Sequence, residues 1–287
     1  MDANLVRRVG FAAVAIPLAL LVVWFGGLPL ALLLALAGAL GTRELLHLAE
    51  RRQVRPAMVL GVATSAAIAP VTWAAMSTDR GAALSAASPY VAALWLLLLL
   101  GWTLAARAPA DRPLEAAGVT GLAVAYAGAL PVFVLLIRHG QHPLRSWAGT
   151  WLVFYPLVVT WVCDTAAMFG GRTFGGPKLA PTVSPGKTRS GAAAGVVGAL
   201  LVAPVFAGWV FPAAGLDVSG WHLLAIAAVL SVVGQVGDLA ESLFKREAGV
   251  KDSSHLIPGH GGILDRLDSL YFVVPVAAAL YHAFGVL

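Results

Sequence analysis

From Gly237 to Asp268 the chain reads GDLAESLFKREAGVKDSSHLIPGHGGILDRLD. Six carboxylates, four Lys or Arg and two His fall in this window of a sequence that is 59% hydrophobic and only 11% charged. Charge beside lipid is costly, so residues of this kind mark a functional site unless a partner explains them. Asp265 and Asp268 are three apart, a spacing that puts both carboxylates on one helical face, where they could grip a single cation. A helix N-terminus also favours anions, so the pair would serve equally as a cap closed by Arg266. Asp238 and Glu241 repeat the spacing, with Ser242 beside them, and Asp164 stands near the end of an earlier apolar run. Oxygen ligands from three helix ends suit a hard cation such as Mg²⁺ acting on phosphate.

Lys178, Lys187, Arg189, Lys245, Arg246, Lys251 and Arg266 supply the opposite charge. Cations next to a carboxylate–metal cluster suit a polyphosphate, because they neutralise what the metal does not. Taken singly, each could simply load one membrane face with positive charge. Lys187 and Lys251 stand apart, since each lies in a Gly-, Pro- or Ser-containing loop close to the acids. GKT at Gly186 to Thr188 is not a phosphate loop: that motif needs a glycine where Pro181 stands, and a preceding strand, which is not expected here. His260 to Asp265 has the HxxxxD spacing of glycerolipid acyltransferases, but no later Glu-Gly block follows. His260, between two glycines, is read instead as a phosphate or carboxylate contact, with plain packing as the alternative.

Elements must hold these groups in lipid. A span needs about 20 mostly apolar residues. About nine runs qualify on that measure, near 6–25, 28–46, 57–76, 88–106, 115–137, 149–169, 190–211, 220–243 and 269–286. The first could be read as a signal peptide with Arg7 and Arg8 as its basic end. No clear cleavage site precedes Gly26-Gly27-Leu28-Pro29, so it is taken as a helix. With the N-terminus inside, only Arg80, Arg138 and Arg145 of the nineteen Lys and Arg fall outside. That asymmetry predicts an all-α, polytopic membrane helix bundle with a cytoplasmic N-terminus and an external C-terminus. The net charge of +5 then reflects an anionic leaflet rather than nucleic acid. Residues 1–148 read as scaffold and lipid contact. Residues 149–287 read as the catalytic part, with inner loops at 170–189, too rich in Gly and Pro for helix, and at 245–265. The Gly191-to-Gly195 GxxxG permits close helix packing, within the chain or in a homodimer. Cys163 is the only cysteine, which excludes an intramolecular disulfide and a thiolate metal site.

The run from Ser242 to Asp268 resembles the signature of phosphatidate cytidylyltransferases, also called CDP-diacylglycerol synthases. Ser242, Lys245, Arg246, Lys251, Asp252, Pro258, His260, Gly261, Gly262, Asp265, Arg266 and Asp268 all fall on its fixed positions. GDLAES upstream, and the DTAA, FGGRTFG, KLAP and SPGKT pieces between Asp164 and Thr188, are similar to the same family. The likeness is detailed over residues 160–270 and extends to the rest only as a helix bundle. It implies transfer of a cytidylyl group from CTP to phosphatidic acid, giving CDP-diacylglycerol and pyrophosphate, at the cytoplasmic face of a bacterial inner membrane. It implies Asp238, Asp265 and Asp268 as metal ligands, with Asp164 and Glu241 as weaker ones. Asp238, Asp265, Asp268 and Lys251 become the catalytic set. Lys187, Lys245, Arg246, Lys251 and Arg266 would hold phosphates, with Ser184, Ser242 and His260 hydrogen-bonding beside them. The expected cofactor is Mg²⁺, with Mn²⁺ as substitute and room for a second cation. A CDP-alcohol phosphotransferase would need a DG-x-x-AR core, which is absent, and a transporter would place its polar groups near mid-membrane rather than at one face.

Overall fold

A computed structural model describes residues 16–78, 80–256 and 261–287. Almost every element is helical: α1 (Ile16–Phe25), α2 (Gly27–Glu50), α3 (Met58–Ser77), α4 (Gly81–Ala106), α5 (Pro113–His139), α6 (Trp147–Phe174), α7 (Arg189–Ala213), α8 (Gly220–Glu247), α9 (Leu264–Leu267) and α10 (Leu270–Ala283). Seven of these, α2 to α8, are long and apolar enough to cross a membrane. They match the second to eighth of the expected spans. The first expected span lies partly outside the described residues, and the ninth is the 14-residue α10. Helices dominate because a backbone in hydrocarbon must satisfy its own hydrogen bonds.

Two helices loosen in the same way. In α5 the turn Val124–Ala129 widens to a π-helix, and Leu130 N donates five residues back to Ala125 O. In α7 the turn Phe206–Val210 does the same through Phe211 N and Phe206 O. Each wide turn closes on the residue just before a proline, Pro131 or Pro212. Proline lacks the N–H that would continue the ladder and its ring crowds the preceding turn, so the register slips there.

The stretch expected to be a non-helical loop, 170–189, is partly ordered differently. α6 continues through Phe174. The remainder folds back as an antiparallel hairpin of β1 (Lys178–Ala180) and β2 (Ser184–Thr188), with Lys178 opposite Thr188 and Ala180 opposite Ser184. The backbone turns at Gly175 and Gly176, both with positive φ, a region glycine enters without a Cβ penalty.

The chain forms two compact units. The first holds residues up to Gly26, Leu136–Arg246 and Leu267–Leu287; the second holds Gly27–Leu135 and Glu247–Arg266. In the first unit α6 and α7 pack closely. A Cβ at Gly191 would meet Ala167 O at 2.7 Å, and one at Gly195 would meet Cys163 O at 3.0 Å. The GxxxG spacing therefore serves a seam within the chain. Arg138 is fully buried and donates to Val23 O, Trp24 O and Pro143 O, which explains a charge at the end of an apolar helix. In the second unit the polar pair Thr42 Oγ1 and Ser65 Oγ, 2.7 Å apart, joins α2 to α3. Small and hydroxyl residues are what membrane helix seams use, since apolar side chains gain little from leaving lipid. Most of α4 is uncovered, with Leu94, Leu97 and Leu104 exposed, as suits a surface solvated by acyl chains.

Candidate active site

Within the first unit, three helices and the hairpin bring the predicted polar residues together. Gly237 sets the spacing. A Cβ there would meet Asp268 O at 2.9 Å and the Phe272 ring at 3.1 Å, so only glycine lets α8 lie against the segment entering α10. Its neighbour Asp238 is thereby carried up to Asp268. Lys187 reaches the same place from β2, its Nζ lying 2.5 Å from Asp238 Oδ2. Thr188, the next residue, ends the strand and caps α7 by accepting from Gly191 N at 3.1 Å. Lys187 thus sits one residue before a fixed helix start. GKT is accordingly the end of a short strand, β2, and a helix cap.

Asp238 Oδ1 accepts from Ser242 Oγ at 3.3 Å. Asp268 Oδ1 accepts from Ser269 N at 2.6 Å. Burial, and next the charge of Asp238, push the Asp268 carboxyl up to about 7; Ser269 N–H and Lys245 pull the other way, and Asp164 adds a smaller push. A cation placed between Asp268 and its acidic neighbours would relieve that opposition. Lys245 and Glu241 form an i,i+4 ion pair at 2.5 Å, both side chains almost wholly buried, which makes Lys245 first of all the partner of Glu241. Arg246 is exposed and donates from Nε to Val183 O in the turn of the hairpin. Ser184 lies half-buried at the start of β2.

The other predicted residues belong to the second unit. Lys251 is exposed, Arg266 is exposed, and Asp265 is buried. His260 lies outside the described residues. Asp265 was expected to share the first turn of the last helix with Asp268. Instead Asp265 is in the one-turn α9, and Asp268 stands in the break before α10. Asp265 Oδ2 accepts from Ser253 N at 2.8 Å, Ser253 Oγ at 2.7 Å and Gly262 N at 2.8 Å. Sequence reasoning missed Ser253, and it missed Glu44, a buried acid in α2 that bonds the same segment. An isolated carboxylate in an apolar run was the available signal for Glu44.

Among the described residues, no three of His, Cys, Asp and Glu stand ready to enclose a metal ion. The donor set nevertheless fits Mg²⁺. It is made of carboxylate oxygens, and Mg²⁺ is commonly held by one or two carboxylates with waters and substrate phosphates, without an all-protein cage.

The model of the cytidylyltransferase family matches residues 6–284. A phosphatidate cytidylyltransferase of Brucella suis is 38% identical over 286 residues, covering 98% of this chain and 93% of the relative. One from Haemophilus influenzae is 39% identical over 192 residues, covering 66% of this chain and 64% of the relative, and one from Bacillus subtilis is 40% identical over 195 residues, covering 68% of each. On a match running almost from end to end, the chain belongs to the cytidylyltransferase family of enzymes.

Proposed function

We propose that this membrane enzyme transfers the cytidylyl group of CTP to phosphatidic acid. A phosphate oxygen of the lipid attacks the α-phosphorus, the bond to the β-phosphate breaks, and CDP-diacylglycerol and pyrophosphate result. The observation that carries the reading is the meeting of Asp238 with Lys187 and Asp268 at one place in the first unit, in a chain whose relatives bear this activity in their names. The nucleophile is already an anion, so the site needs no strong general base. It needs relief of repulsion between two anionic substrates and stabilisation of the charge on the leaving group.

Asp238 and Asp268, with Asp164, would hold Mg²⁺; Mn²⁺ could replace it, and the sequence pattern adds Asp265 as a further ligand. When bound, the ion supplies positive charge to the phosphates of CTP. Lys187 would then exchange its carboxylate for a phosphate oxygen. Ser242 orients Asp238. Arg246 and Ser184, at the hairpin, Lys245, paired with Glu241, and, by the sequence pattern, Lys251, His260 and Arg266 would be further phosphate contacts. The sixteen-to-three distribution of Lys and Arg favours an orientation with this chemistry at the cytoplasmic face.

Purified protein in detergent, given CTP, phosphatidic acid and Mg²⁺, should release pyrophosphate and form a CDP-lipid, and should do neither when one substrate is omitted. Absence of both products from folded protein overturns the reading.

A further inference from the structure

A second carboxylate centre, built on Glu44 and Asp265, lies in the second unit. Glu44 sits near the end of α2, a helix otherwise apolar enough to span a membrane, and is only 5% exposed. A buried carboxylate must be fully hydrogen-bonded to be tolerated. Glu44 is. Its Oε1 accepts from Ser254 Oγ at 2.7 Å and Ile263 N at 3.1 Å. Its Oε2 accepts from Ser253 Oγ at 3.0 Å and Leu264 N at 2.8 Å. All four donors come from one segment, 209 to 220 residues further along the chain. An ionised carboxylate has about four acceptor positions, so this one segment fills the group.

The segment depends on it in return. α9 is a single turn, too short to sustain itself, and its leading amides have no partner within the helix. Glu44 takes the amides of Ile263 and Leu264. Asp265 reaches back to Ser253 and Gly262, so Ser253 is held between two acids. Gly262 cannot carry a side chain, because a Cβ would land on Ser253 Oγ and the Glu44 carboxylate. Two fixed points result, at Ser253–Ser254 and at Gly262–Leu264. Lys251 lies two residues before the first and Arg266 two residues after the second.

We infer that Glu44 is a positioning residue: from α2 it fixes the two ends of the segment that presents Lys251 and Arg266 to substrate phosphate. The inference rests on the proposed function for what those cations bind. It does not rest on it for the clamp itself. Glu44 touches no substrate; it acts through the loop.

The test compares Glu44→Gln and Glu44→Asp with wild type in detergent, reading three quantities: the KM values for CTP and phosphatidic acid separately from kcat, thermal stability, and hydrogen exchange of the peptide covering 261–266. Glu44→Gln keeps one acceptor oxygen and places an N–H₂ against backbone N–H or hydroxyl donors. It should raise one of the KM values about tenfold or more and speed exchange at Ile263 and Leu264 by a similar factor, beyond any loss of melting temperature that the mismatched buried donors bring. Glu44→Asp should recover part of the loss. Adding Ser253→Ala to Glu44→Gln should cost little more, because the partner is already lost. Unchanged KM with lower melting and a smaller active fraction would make Glu44 merely structural and overturn the inference, as would wild-type exchange in Glu44→Gln. If Glu44→Gln does not accumulate, Ser254→Ala is read by the same measurements and should show the same pattern at roughly two- to threefold, a single neutral hydrogen bond; wild-type values there count against the inference. Should wild type release no pyrophosphate, the proposed function fails alone, and faster exchange in Glu44→Gln still decides the clamp.

Discussion

Lys187 Nζ and Asp238 Oδ2 stand 2.5 Å apart, joining a strand to a helix 51 residues later. The pair is half-buried, with about three-tenths of each side chain open. A lysine so placed can release one oxygen anion for another. If the lysine serves substrate phosphate, its importance should show in turnover. Lys187→Gln should reduce the specificity constant for CTP or phosphatidic acid by about ten- to a hundredfold, the value of one charge-assisted contact. Arg51→Gln and Arg52→Gln, exposed residues at the end of α2, should leave it near wild type. Equal effects at the three positions, read by pyrophosphate release, would mean that leaflet electrostatics has been mistaken for a phosphate site.

Asp238→Asn and Asp268→Asn each keep the shape of the side chain and remove its charge. Both should eliminate most turnover while the protein stays folded in detergent. Wild-type activity should require Mg²⁺ or Mn²⁺ and disappear with chelator. Full activity in EDTA would remove the metal from the mechanism, and near-normal Asp268→Asn would remove that ligand.

Gly237→Ala tests the spacing of the site without touching an ionisable group. The added methyl must push against Asp268 O and Phe272. Overpacking of this kind costs typically about 1–3 kcal/mol. The expected result is lower thermal stability together with a fall in kcat, because Asp238 moves with the helix. Gly208→Ala, where a Cβ meets nothing within 4 Å, should change neither quantity.

Arg138 offers a prediction of stability alone. Arg138→Met fills similar volume but leaves Val23 O, Trp24 O and Pro143 O without their donor. A stranded buried acceptor, here Val23 O, costs about 1–3 kcal/mol, and the two part-buried ones less. Melting in detergent should drop markedly, while kcat per folded molecule stays close to wild type.

Orientation is checked by reporters. One fused after Leu287 should be external, and one inserted in 245–265 internal. A reporter after Leu287 that is internal would mean an even number of spans.

The long apolar runs were legible because lipid imposes a simple rule of length and hydropathy. Their interiors were less so: Pro131 and Pro212 were visible, but the π turns they cause were not. Gly- and Pro-rich composition at 170–189 excluded regular helix for most of that stretch, yet could not indicate that Val183 would be held by Arg246 and that the strands would pair. At the candidate site, residue types and spacing singled out Asp238, Asp268 and Lys187, which the structure brings together. They could not separate Asp265 from Asp268, because i,i+3 spacing assumes one continuous helix and the chain breaks at Asp268 and Ser269. Glu44 escaped because its partners lie more than 200 residues away, beyond any local pattern.

That distance also imposes an order of events during synthesis. Glu44 leaves the ribosome 209 residues before Ser253. At about 5–20 residues per second, its partners follow roughly ten to forty seconds later. Throughout that interval α2 carries a carboxylate with none of its final donors. Until then the helix is held in the bilayer by its apolar residues, most densely leucine in the N-terminal half, and by earlier seams such as Thr42 with Ser65, and the clamp closes only near the end of translation. A substitution that thins that apolar half would act before the enzyme exists as a folded molecule, lowering the yield of inserted protein without altering the kinetics of the molecules that succeed.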